Sequence, residues 1–74
     1  MGISDVRRAF VDELGRDAQC VAFTMHYADG GQSQVLRASI IVGGEARTVE
    51  RTVPALADLA SEARRMAAEA RRTQ

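Results

Sequence analysis

The chain has 74 residues, 46% of them hydrophobic and 4% aromatic, with ten Asp plus Glu against ten Arg and no Lys. This length suits one domain, so residues 1–74 are read as a single unit, and zero formal net charge with a pI near 6.6 excludes the strongly basic field of a dedicated nucleic-acid binder. Thirteen of the hydrophobic residues are Ala and only 16 are Leu, Ile, Val or Phe, a thin supply for a domain that buries only about 60% of its unfolded surface.

Ile3, Val6, Phe10 and Leu14 recur at three- and four-residue spacing, which predicts an amphipathic helix over residues 4–14 with Ser4 as its cap and Gly15 as its left-handed stop. Residues 20–27 are rich in β-branched and aromatic side chains, and Val21, Phe23, Met25 and Tyr27 alternate onto one face of a strand. Asp29-Gly30-Gly31 supplies the positive-φ positions of a tight hairpin, after which residues 33–42 alternate again through Leu36, Ala38, Ile40 and Val42. Centring the turn on Gly30-Gly31 sets Val21 opposite Ile40, Phe23 opposite Ala38 and Met25 opposite Leu36, so the apolar faces coincide.

Gly43-Gly44 predicts a second hairpin into residues 46–52. Its centre sets Arg37 opposite Glu50 and Ser39 opposite Thr48, and leaves Arg47 and Arg51 beside Val49 on the core side. Inward charge of this kind suits an edge strand, where it discourages aggregation, or else a bulge that changes the register. Thr52-Val53-Pro54 then reads as a helix start, with Thr as cap and Pro in the first turn. Leu56, Leu59, Ala60, Ala63, Met66, Ala67 and Ala70 form the apolar stripe of that helix. The sequence therefore specifies an α+β, two-layer fold of order α-β-β-β-α, with a three-stranded antiparallel meander and both helices on one sheet face.

Alternation places Cys20, Ala22, Thr24, His26, Val35, Arg37, Ser39 and Ile41 on the opposite sheet face. That face is neither fully polar nor fully apolar, and it reads either as scattered apolar surface or as a docking surface for a protein or for a second copy of the chain.

The chemistry-bearing residues form no catalytic or metal pattern. Cys20 and His26 lie six residues apart in one strand, about 20 Å at 3.3 Å per residue, too far for a nucleophile–base pair. One Cys and one His leave a tetrahedral zinc short of ligands, and neither Gly pair matches a phosphate-binding loop. No enzymatic activity, metal or cofactor is expected. A single Cys cannot close an intrachain disulfide, and the first twenty residues lack the apolar stretch of about 7–15 residues that a signal peptide needs. A cytoplasmic protein without a membrane span is the expectation.

Double-stranded-RNA-binding domains share this order of elements, but they carry a Lys cluster where their second helix begins. Here that position reads Val53-Pro54-Ala55-Leu56-Ala57-Asp58, with no base and one acid, so the shared order transfers no function. The expected function is a small non-enzymatic protein-binding module that docks on a larger complex as an inhibitor or adaptor. Inhibitors encoded by phages or mobile elements, anti-CRISPR proteins among them, fit by size and lack of chemistry alone. The candidate partner-binding residues are Arg64, Arg65, Arg71, Arg72, Arg37, Val35, Ile41 and His26, because guanidinium groups make forked contacts to carboxylates. The alternative is nucleic-acid binding through the last helix, where Arg64 and Arg71, and Arg65 and Arg72, repeat at seven residues.

Overall fold

In the computed structural model, described over residues 2–72, the chain runs through two helices and three strands. Met1 and residues 73–74, the ends of the 1–74 unit, lie outside the described residues. Helix α1 spans Ile3–Leu14 and buries Val6, Ala9, Phe10 and Leu14. Its cap is Gly2, whose carbonyl accepts from the Asp5 and Val6 amides at 3.2 and 3.4 Å. The predicted cap, Ser4, instead lies inside the first turn. Gly15 ends the helix at φ 92°, ψ 177°, and its amide donates to the Val11 carbonyl at 3.2 Å. That extended, positive-φ conformation is one essentially reserved for glycine, so the stop is set by backbone sterics.

Strands β1 (Ala18–Ala28), β2 (Ser33–Val42) and β3 (Glu45–Pro54) form one antiparallel sheet in the order β1-β2-β3. Both hairpin centres fall where the glycine pairs put them. Phe23 faces Ala38 and Met25 faces Leu36, while Arg37 faces Glu50 and Ser39 faces Thr48. The first loop is longer than a two-residue turn: Ala28 pairs with Ser33, and residues 29–32 bend through a short 3-10 turn closed by the Gln32 amide on the Asp29 carbonyl.

Two readings from alternation are corrected. Cys20, not Val21, pairs with Ile40, because Val21 is the extra residue of a β-bulge between Cys20 and Ala22. The bulge reverses parity beyond it. Cys20 and Ala18 pack against the core, and Val21, read as a core residue, is 55% exposed. The Cys20 thiol donates to the Ala22 carbonyl at 3.6 Å, across the bulge.

The second correction is the start of helix α2, which spans Leu59–Arg72. The segment Thr52-Val53-Pro54 completes β3 instead: Val53 pairs with Gln34 and is buried, and the Ala55 amide donates to the Gln32 carbonyl at 3.0 Å. Pro54 is tolerated there because it is the last residue of an edge strand, opposite Ser33, where one side of the backbone has no strand neighbour. Asp58 is the true cap, its carboxylate accepting from the Ser61 amide and hydroxyl at 3.4 and 3.0 Å. Leu56, placed on the helical stripe by spacing, is fully exposed ahead of the helix.

The remaining stripe behaves as predicted. Ala60, Ala63, Met66, Ala67 and Ala70 are buried, and their small side chains let α2 lie close against α1. One cluster joins Val6, Phe10 and Leu14 of α1 and Ala63, Met66, Ala67 and Ala70 of α2 to Phe23, Leu36, Ala38, Ile40 and Val42 of the sheet. Both helices therefore cover the same sheet face, α1 toward β1 and α2 toward β3. Phe10 and Phe23 tie the layers together with ring centroids 5.3 Å apart at 49°.

Candidate functional site

Helices on one side leave the other sheet face without a covering element among the described residues. Ala22, Thr24 and His26 of β1, Arg37 of β2, and Ala46, Thr48, Glu50 and Thr52 of β3 are exposed on it, and Ser39 and Ile41 are half-buried. These side chains are mostly short, so the face is flat. Shallow depressions on it are lined by Ala22, Thr24, Arg37 and Ser39 and, toward the bulge, by Val21, Ile41, Ala46 and Thr48. Its one described cation–anion pair is Arg37 with Glu50, at 4.0 Å with both side chains more than half exposed. An exposed pair at that separation adds little stability, and it leaves the face electrically balanced.

Of the predicted sheet-face residues, His26, Arg37 and Ile41 are displayed as expected. Val35 is not: it is only 9% exposed, flanked on the central strand by His26 and Thr52 directly opposite. It supports the face from within. Cys20 leaves the set altogether because of the bulge, which also puts it on the face opposite His26.

Arg64, Arg65, Arg71 and Arg72 lie on α2, on the far side of the sheet from this face, so the fold does not bring the two groups of candidates together. Arg64, Arg65 and Arg72 are exposed. Arg71 is exposed as well, and its Nη1 donates to the Glu13 carbonyl at 3.3 Å, at the C-terminal end of α1. All four members of the Arg stripe thus reach solvent, one of them tied to the end of α1.

Of the two inward arginines of β3, Arg47 pairs with Glu45 of the same strand at 3.6 Å, and Arg51 is met by α2. Arg51 Nε lies 2.8 Å from Glu62 Oε1 and Nη1 lies 3.3 Å from Glu69 Oε1. The partners are 11 and 18 residues away in sequence, a separation at which spacing gives no signal. Three further features escape a linear reading. Asp58 is a cap whose carboxyl the Ser61 hydroxyl and amide hold below the usual carboxylate range, with the Arg64 charge adding to the effect. Its signal is present in the sequence as Asp three residues before Ser at the head of an apolar run. Tyr27 shares the parity of core-facing Phe23 and Met25 yet is 69% exposed, because the strand outruns its helical cover. Val21 is likewise bare.

Among the described residues no group of three or more His, Cys, Asp or Glu stands close enough to hold a metal ion, and no helix is long and apolar enough to cross a membrane. The chain matches no protein-family model, no curated protein and no solved structure.

Proposed function

We propose that this chain is a protein-binding module that docks on a larger partner, as an inhibitor or adaptor, through the open sheet face. The observation that carries the reading is that this face is uncovered and electrically balanced, with mostly short side chains and few charges. Arg37 is offset by Glu50, while Ile41, Ala22, Ala46 and Val21 supply apolar area between hydroxyl side chains. The cores of protein interfaces are depleted of charge, and this face carries one described ion pair, which is balanced. A phosphate backbone would instead select an excess of cations.

The test is capture with the purified full chain from cells of its source, comparing the wild type with Ile41→Asp and Arg37→Glu. Both positions lie off the core, so folding is retained. A partner held by wild type and lost by both variants supports the reading, and a partner retained by both overturns the assignment of the face. Arg65→Glu, on the opposite side, should leave that capture unchanged.

A second reading rests on the exposed Arg64, Arg65 and Arg72 of α2, which could contact phosphates. It predicts affinity for mixed DNA or RNA that falls steeply with salt; absence of binding at low salt would sink it.

A further inference from the structure

We propose that β1 pairs antiparallel with β1 of a second copy of this chain, around a two-fold axis that passes beside Met25 and joins the two sheets into one of six strands. The inference concerns the edge of the sheet, not its open face, and does not depend on the reading above.

The two edges of the sheet differ in kind. Strand β3 carries Glu45, Arg47, Glu50 and Arg51 and ends in Pro54, the devices by which proteins keep an edge from pairing. Strand β1 reads Ala-Gln-Cys-Val-Ala-Phe-Thr-Met-His-Tyr-Ala: eleven residues without Asp, Glu, Arg, Lys or Pro, many of them good strand formers. Its one protective feature is the bulge at Val21. That bulge limits regular pairing to residues 22–28 without closing the edge.

The occupant follows from the pattern of that stretch. With Met25 on the axis, Phe23 stands opposite Tyr27 of the second copy, Thr24 opposite His26, and Ala22 opposite Ala28. Each pair matches in size and polarity, and none sets a formal charge against another. On the helix side, the exposed Tyr27 stands beside the edge of Phe23, whose ring is otherwise covered by Phe10, so pairing withdraws apolar Tyr27 surface from water. The register that would use the whole strand, centred on Phe23, fails twice over. It opposes Asp17 to Asp29 and runs the bulge against regular strand. The Met25 register thus sets β1 against itself with neither a charge clash nor the bulge in the paired stretch.

The test uses the full chain. Sedimentation equilibrium from micromolar to millimolar concentration should show the wild-type mass rising from 8.0 kDa toward twice that value. Thr24→Glu with His26→Glu opposes like charges twice across the axis and should abolish the rise; both residues are exposed, so circular dichroism should be unchanged. Thr24→Lys with His26→Glu pairs opposite charges and should restore it. In a Cys20→Ser background, Met25→Cys should form an intermolecular disulfide on mild oxidation. Thr24→Cys should not, because its two copies would lie about 8 Å apart between Cα atoms, beyond bridging distance. A wild type that stays monomeric throughout, a dimer indifferent to the double Glu variant, or equal cross-linking of the two cysteine variants each overturns the proposal.

Discussion

Arg51 Nε and Glu62 Oε1 are 2.8 Å apart, joining the edge strand β3 to the first turns of α2 over a separation of 11 residues. Both side chains are largely withdrawn from water, at 29% and 17% exposure, so the pair differs from the exposed Arg37–Glu50 contact. It neutralises an arginine on the core side of the sheet and fixes α2 above β3.

Removing Arg51 strands the Glu62 carboxylate in a half-buried place. Arg51→Leu should cost about 1–3 kcal/mol, the range for a hydrogen bond to a charged group left unmade. In a domain of this size that lowers the thermal midpoint by about 4–8 °C per kcal/mol. Arg51→Leu with Glu62→Leu should recover most of the loss, since an apolar pair can replace a partly buried ion pair. Thermal denaturation of the two variants decides the matter: equal losses in both would show that the charge pair is not what matters there.

Phe10 is fully buried and stacks on Phe23. Because so much of the remaining core is Ala, Phe10→Ala should cost about 3–5 kcal/mol, comparable with the whole stability of a small domain. The expected result is loss of the cooperative urea transition, while Phe10→Leu retains one. A Phe10→Ala protein with a near-wild-type midpoint would contradict the layer contact as the centre of the core.

Gly43 and Gly44 sit at φ 59° and 82° between paired Val42 and Glu45, the geometry of a two-residue primed turn. A Cβ at either position would meet nothing within 4 Å, so only backbone strain opposes substitution. Gly44→Val should destabilise by about 1–2 kcal/mol, whereas Gly43→Asn, which tolerates this conformation, should be nearly neutral. Denaturant midpoints of the two variants test the contrast.

Asp58 gives α2 an acid-sensitive cap. Its carboxyl is held below the usual range chiefly by the Ser61 hydroxyl and then by the Ser61 amide. The folded state therefore keeps it ionised at a pH where the unfolded chain would be protonated. Its contribution is complete above the unfolded value of about 3.9 and is lost as pH falls through the lower folded value. Asp58→Asn keeps an N-cap acceptor without the titration, so its stability should fall less steeply below about pH 4. Asp58→Ala should lower α2 helicity at neutral pH. Acid titrations followed by circular dichroism that run parallel in wild type and Asp58→Asn would remove Asp58 as the source.

The hairpins were legible because turn chemistry is local: each glycine pair fixes a centre, and the centre fixes Arg37 against Glu50 and Met25 against Leu36. The candidate site was legible in the same degree, since period-two alternation from those centres displays His26, Arg37 and Ile41. It failed where alternation fails. One inserted residue at Val21 exchanges the faces of Cys20 and Val21, and nothing in the identities of those two residues announces it. Val35 was misjudged for a related reason: alternation assigns a face but says nothing of how closely its neighbours crowd it. The start of α2 was ambiguous because Pro54 suits both a first helical turn and the end of an edge strand.

By itself, then, the sequence determined the order of elements, the two turn centres and the helical stripe. These depend on steric preferences of a residue and its near neighbours along the chain. Tertiary structure alone decided which way the bulge turns Cys20, how Arg51 is neutralised by Glu62 and Glu69, that Arg71 bonds the end of α1, and that Tyr27 is left bare. Those outcomes turn on desolvation and contact between groups distant in the chain, where local spacing carries no signal.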